Sequence, residues 1–231
     1  MADGRNPLLV AIDTSDPDEA RALVRAVAGV AGGIKLGLEF FAANGPKAVK
    51  DISFGEPLFL DLKLHDIPNT VAGAVRAVTS LAPLLLTVHA GGGPAMMRAA
   101  ADAATAGRHR TKILAVTVLT SLDEDDLARV GQSGPVAEQV LRLGLLARDS
   151  GLDGVVCSPH EVAGLRAACG PNFMLVVPGI RPAGASAGDQ KRVMTPREAL
   201  AAGADYLVIG RPITAAPDPA AAARAIAADM R

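Results

Sequence analysis

The sequence predicts a closed (β/α)8 barrel forming a single domain over residues 1–231, and three observations predict it. Eight short apolar runs recur along the chain, each of strand length. Alanine-rich stretches with helical spacing separate most of them, so the order is strand then helix, repeated. The runs are continuous in Val, Ile and Leu, as expected of parallel strands buried on both faces. Eight such units in 231 residues suit a closed barrel better than an open doubly wound sheet, and no G-x-G-x-x-G follows the first run.

In order, the runs are Leu8 to Asp13, Gly33 to Leu38, Pro57 to Lys63, Leu84 to His89, Lys112 to Leu119, Gly154 to Cys157, Phe173 to Pro178 and Tyr206 to Gly210. Helical spacing shows at Ala20, Leu23, Val24 and Val27 after the first, and at Val136, Val140, Leu143 and Leu146 after the fifth. Three helix starts share one device: Asp16-Pro17-Asp18-Glu19, Ser158-Pro159-His160-Glu161 and Thr195-Pro196-Arg197-Glu198. Each supplies a capping side chain, a proline at the first helical position and a glutamate at the third, so that backbone donors are satisfied from both sides. Gly170 and Gly203 follow the second and third of these helices, as left-handed C-terminal residues do. A fourth helix through Val71 to Val75 is expected to be capped by Asn69 or Thr70. The longest irregular stretch, Arg181 to Met194, lies between the seventh run and the next helix, and loops of that length are uncommon unless functional.

Composition excludes several functions. With 23 basic and 24 acidic residues and no Lys/Arg run, the chain has no track for a phosphate backbone; one Tyr, five Phe and no Trp give no base-stacking platform. Nucleic acid is therefore not an expected partner. Cys157 and Cys169 form no CxxC pair and suggest neither a disulfide framework nor a zinc site. The first residues lack a basic segment followed by an apolar one, and no run reaches membrane-spanning length, so the expected location is the cytoplasm.

In a barrel of this kind chemistry sits where strands end. The third run ends in Asp61-Leu62-Lys63-Leu64-His65-Asp66-Ile67-Pro68-Asn69-Thr70. Alternate residues of a strand share a face, so Asp61 and Lys63 point inward if Phe59 is a core residue, and Asp66 follows in the turn before Pro68. Taken alone, this D-x-K-x-x-D pattern fits a catalytic lysine between two carboxylates, and equally an ion pair finishing a strand. Other strand ends supply Asp13, Lys35, His89, Thr120 with Ser121, and Gly210 with Arg211. Asp13, Lys35, Asp61 and Lys63 alternate in sign around one side of the mouth, an arrangement costly to bury without a ligand. Lys35 also fits a snorkelling side chain, and Asp13 a helix cap leading into Thr14-Ser15-Asp16. Gly210 permits close backbone approach and Arg211 precedes Pro212, where a short helical turn can offer amide donors to a phosphate; Arg181 and Gln190, in the long loop, are expected to cover it. A Gly-Arg pair by itself fits a surface arginine better; its place at the end of the eighth run is what favours phosphate.

The decapeptide from Asp61 to Thr70 resembles the signature of the orotidine 5'-monophosphate decarboxylase family in its bacterial form, and the resemblance extends from Asp13 to Arg211 with no departure at these positions. It implies decarboxylation of orotidine 5'-monophosphate to uridine 5'-monophosphate without a cofactor or metal. By the same resemblance Lys63 is the proton donor and Asp61 its partner carboxylate, while Asp13 and Lys35 contact the ribose and organise the charges. Thr120 and Ser121 match the pyrimidine edge, and Arg181, Gln190, Gly210 and Arg211 the phosphate-gripping loop and cradle. It further implies a symmetric homodimer in which Asp66, with Ile67 and Thr70, enters the partner's active site. Two rivals remain: magnesium-dependent sugar-phosphate enzymes of similar fold, which share D-x-K-x-x-D but not the flanking His-Asp-Ile-Pro-Asn-Thr, and a non-catalytic barrel that binds sugar phosphates.

Overall fold

The computed structural model describes residues 6–53, 55–107, 109–182 and 194–230. Strands β1 (Leu8–Ile12), β2 (Gly33–Gly37), β3 (Leu58–Leu64), β4 (Leu85–His89), β5 (Lys112–Val116), β6 (Gly154–Val156), β7 (Met174–Val177) and β8 (Tyr206–Ile209) lie in chain order around a closed barrel. Each is parallel to the next, and β8 pairs back onto β1 through Leu8↔Leu207, Leu9↔Val208 and Val10↔Ile209. Closure leaves no sheet edge open to another chain. All eight expected runs are strands. Several ladders stop before their runs do, so that Asp13, Leu38 and the segment from Thr117 to Leu119 lie past the last paired residue, at the mouth.

Apolar side chains sort into two cores. Leu9, Ala11, Phe59, Leu85, Leu114, Val176, Tyr206 and Val208 fill the barrel. The alternate residues of the same strands, such as Leu8, Val10 and Ile12, join a larger core with the surrounding helices. Strand alternation then fixes what reaches the mouth. The inward face of β1 runs Leu9, Ala11 and on to Asp13; that of β3 runs Phe59, Asp61, Lys63; that of β4 runs Leu85, Thr87, His89; that of β8 runs Tyr206, Val208 and on to Gly210.

The helices are α1 (Pro17–Val27), α2 (Leu38–Ser53), α3 (Pro68–Thr79), α4 (Gly93–Thr105), α5 (Glu124–Arg129), α6 (Val136–Asp149), α7 (Val162–Cys169), α8 (Pro196–Ala201), α9 (Arg211–Thr214) and α10 (Pro219–Asp229). Of these, α5 and α9 are short additions to the strand-helix repeat. Asp16 caps α1, accepting from the amides of Asp18 and Glu19. Glu19 does not reach back to the Asp16 amide; it accepts from the Thr14 hydroxyl, which in turn takes the Asp16 amide. Ser158 opens a 3-10 turn at Pro159–Glu161 before α7, with its amide on Glu161 Oε2, and Thr195 caps α8 with a reciprocal capping box. Gly170 and Gly203 adopt φ of 86° and 110°, as their positions after α7 and α8 require. The expected cap by Asn69 or Thr70 is not formed: α3 begins earlier, at Pro68, with Ile67 at its N-cap and no side-chain hydrogen bond. Proline at the first helical position has no N–H to leave unsatisfied, and its fixed φ starts the turn there.

At the end of the barrel away from the mouth, Arg166 of α7 clamps three segments. Its guanidinium donates to the carbonyls of Gly170, Phe173 and Gly203 and to Asp205 Oδ2, and Asp205 also accepts the amide of Leu175 on β7.

Candidate active site

Where β2, β3, β5, β6, β7 and β8 end, a cavity of about 170 Å³ is lined on one side by Lys35, Asp61 and Lys63, and elsewhere by Phe59, Val116, Val118, Leu119, Thr120, Val156, Cys157, Pro178 and Val208. A cavity of about 150 Å³ holds a benzene ring, so this one has room for a six-membered heterocycle with its edge against the charges.

The charged wall is a chain of alternating sign. Lys35 Nζ lies 2.8 Å from Asp13 Oδ1 and 4.0 Å from Asp61 Oδ2; Lys63 Nζ lies 2.8 Å from the same Asp61 Oδ2. Lys35 is buried at 8% exposure and is not a snorkelling side chain. Asp13 does not cap the following helix, because Asp16 does. The expectation that each lysine sits between carboxylates holds for Lys35 but not, within one chain, for Lys63. Asp66 lies on an exposed turn, accepts the amide of Ile67 at 2.6 Å, and forms no ion pair among the described residues. Ile67 is 68% exposed, and Thr70 is exposed beside it. Among the described residues no group of three or more His, Cys, Asp or Glu side chains is placed to hold a metal ion; Asp13 and Asp61 are engaged by lysines instead.

Two further residues were not singled out by sequence reasoning. Gly37 closes β2, and a Cβ there would lie 3.3 Å from Lys35 Nζ and 3.7 Å from Asp13 Oδ1, so a side chain would crowd that ion pair. Thr87, fully buried on β4, accepts the backbone amide of Lys63 at 2.8 Å and donates to Asp61 Oδ1 at 2.9 Å. Lys63 itself has φ of 51°, a left-handed conformation that costs a non-glycine residue about 1–3 kcal/mol and that clusters at functional sites. For Thr87, a signal was present: it shares strand parity with Leu85 and His89.

Two imidazoles sit at the same mouth. The rings of His65 and His89 stack with centroids 5.2 Å apart and planes 12° off parallel. His89 Nδ1 accepts the amide of Gly91 at 3.2 Å. Burial, then the neighbouring His65 and Lys63, push the His89 pKa below its ordinary value. Cys157, which lines the cavity, is pushed far above the ordinary thiol range by burial, and burial also raises Cys169, so neither is a ready thiolate.

The candidate phosphate residues lie around the ends of β7 and β8, next to β1. Gly210 is the N-cap of α9, and a Cβ there would touch Ala11 Cβ at 3.4 Å and Asp13 Oδ2 at 3.6 Å, which puts the Gly210 backbone next to the charged chain. Arg211 is exposed at the first position of α9, whose Ile213 and Thr214 amides both donate to the Gly210 carbonyl, at 2.8 and 3.0 Å. Arg181 is buried, with its guanidinium on the Ile180 carbonyl at 3.0 Å and its amide on Met194. Gln190 lies outside the described residues. Thr120 lines the cavity; Ser121, next to it, is exposed and does not.

A model of the orotidine 5'-phosphate decarboxylase / HUMPS family matches residues 6–226. The chain belongs to that family. It is 58% identical to the orotidine 5'-phosphate decarboxylase of Rhodospirillum rubrum, over 98% of this chain and 94% of that protein. To the protein of that name from Moorella thermoacetica it is 56% identical, over 98% and 92%. The crystal structure of the orotidine 5'-phosphate decarboxylase from Lactobacillus acidophilus superposes with a TM-score of 0.87 at 39% identity, covering 98% of this chain and 99% of that one. Within this decarboxylase family the barrel itself persists at lower identity: the Pyrococcus horikoshii structure, 24% identical, still gives a TM-score of 0.78.

Proposed function

We propose that this chain acts as a single catalytic domain that decarboxylates orotidine 5'-monophosphate to uridine 5'-monophosphate, a step of pyrimidine nucleotide synthesis. The observation that carries the reading is the run Asp13, Lys35, Asp61, Lys63 beside a ring-sized cavity, in a chain more than half identical to proteins named for that activity. Breaking the bond between C6 and the carboxylate releases carbon dioxide and leaves the electron pair on C6, in the ring plane and poorly delocalised. Fixed positive charge is the main means of lowering such a barrier. Lys63 supplies that charge and then gives a proton to C6. Asp61 holds Lys63 and lies beside the departing carboxylate. Asp13 and Lys35 contact the ribose, Thr120 and Ser121 the pyrimidine edge. Gly210 and Arg211, with Arg181 and Gln190, take the phosphate.

Asp66 completes the site from a second chain. Its exposed turn, the apolar Ile67 at its tip and the absence of a cation partner among the described residues support a homodimer in which Asp66, Ile67 and Thr70 enter the partner's mouth. The decisive experiment mixes the purified protein with orotidine 5'-monophosphate and follows the loss of orotidylate absorbance. Turnover that Lys63→Ala abolishes while the fold survives supports the assignment. An inactive wild-type protein, or a Lys63→Ala variant with near wild-type turnover, refutes it.

A further inference from the structure

Strand β3 does not end as a regular strand. It pairs with β4 at Phe59↔Leu85 and Leu60↔Leu86, and the register then slips so that Leu64 faces Val88. Four steps along β3 are thus set against two along β4, and a bulged segment of this kind leaves backbone groups without ladder partners. The Lys63 amide, in the left-handed residue of that bulge, finds its acceptor in the Thr87 hydroxyl. An amide can only donate and an ionised carboxylate can only accept, so the hydroxyl's one proton is directed at Asp61 Oδ1. Asp61 Oδ2 is left to take Lys63 Nζ. The bonds close a cycle that leaves the lysine through its backbone and returns to it through its ammonium group. Thr87 is fully buried.

We infer that Thr87 is a positioning residue for the decarboxylation proposed above, and the inference rests on that reading. Through Asp61 it fixes the plane of the carboxylate, so that one oxygen faces both Lys63 and, at 4.0 Å, Lys35. Through the amide it pins the main chain from which the Lys63 side chain springs. The proton donor is therefore held from both ends by one hydroxyl group. Without it, the carboxylate keeps only its lysine contacts among the described residues and turns more freely about its Cβ–Cγ bond, and the Lys63 amide loses its side-chain acceptor. Thr87 is absent from the residues lining the cavity and acts through Asp61 and Lys63, not on substrate.

The test uses full-length protein and three forms of residue 87. Thr87→Val keeps the shape and removes the hydroxyl; kcat should fall roughly 100-fold, the scale of a 1 Å misplacement of a reacting group, with KM changed by less than about threefold. Thr87→Ser keeps the hydroxyl and loses a methyl; kcat should stay within about fivefold of wild type, a difference that a purely packing role would reverse. A valine variant with wild-type kcat, or a serine variant as impaired as the valine one, overturns the inference. Should the valine variant not fold, NMR on the wild-type protein decides: a hydroxyl proton held in this cycle exchanges slowly and shows a cross-peak to the Lys63 amide proton, and its absence is the contrary result. A wild-type protein that does not turn over orotidylate refutes the function and leaves the NMR result standing. An active wild type with an equally active valine variant refutes the role of Thr87 alone.

Discussion

Mixing two dead enzymes should restore activity, and the amount is set by where the structure places Lys63 and Asp66. Lys63 lies inside its own barrel, bonded to Asp61 of the same chain, whereas Asp66 stands on an exposed turn with no ion pair among the described residues. In a two-fold dimer the exchange is reciprocal, so each site takes Lys63 from one chain and Asp66 from the other. Lys63→Ala and Asp66→Ala homodimers are then both inactive, since every site in each lacks one group. In the heterodimer both defects fall in one site and the second site is whole. Equal amounts, dissociated and re-associated at random, give about half heterodimers with one good site of two, hence about a quarter of wild-type activity. Orotidylate absorbance reads the rate, and native mass spectrometry the heterodimer fraction. A mixture that contains heterodimers yet stays as inactive as its parents would mean that Asp66 serves its own chain, and the shared site would have to be abandoned.

Three other perturbations probe separate parts of the molecule. Removing the proposed phosphate contact in Arg211→Ala should lower kcat/KM for the nucleotide roughly 10- to 150-fold, the worth of one charge-assisted hydrogen bond, and leave the nucleoside lacking phosphate almost unaffected; equal loss on both would make Arg211 structural. Arg166→Met strips hydrogen bonds from the carbonyls of Gly170, Phe173 and Gly203 and a partner from Asp205, so calorimetry should find about 3 kcal/mol less stability and a Tm lower by roughly 6–12 °C; a change under about 2 °C would show the clamp to be incidental. Because the folded protein holds the His89 pKa below its unfolded value of about 6.5, stability is full above that pH and falls as the pH drops through it toward the folded value. Urea unfolding across pH 5 to 8 should show this fall in wild type and less of it in His89→Asn, which keeps an acceptor for the Gly91 amide; identical profiles would assign the titration elsewhere.

Much of the fold was legible because buried parallel strands leave a direct mark in sequence, as at Leu8 to Ile12 and Tyr206 to Ile209. The charged wall was legible for a related reason: a Lys or Asp that continues the inward parity of an apolar strand has few explanations other than a site. Thr87 escaped because threonine is an ordinary β-strand residue, and its role exists only through the slip between β3 and β4, which no local pattern announces. The start of α3 was misplaced because Asn69 and Thr70 are good caps by type, yet Pro68 alone sets the first turn. Gly37 was passed over since its value lies in a side chain's absence next to Lys35, a fact of three-dimensional crowding. For Asp66 the expected role belongs to a second chain, and its exposed turn with no ion pair among the described residues supports that proposal.

The neighbourhood of Gly210 and Asp13 carries a consequence for how the protein is made. Residues nearly two hundred positions apart meet there, across the seam where β8 closes onto β1. Until the ribosome has released β8, a nascent chain holds seven strands with both outer ones unpaired, and such edges are templates for aggregation. It also lacks Gly210 and Arg211, the residues proposed to take the phosphate. Closure of the barrel thus waits for the last stretch of synthesis, when β8 can pair with both β7 and β1.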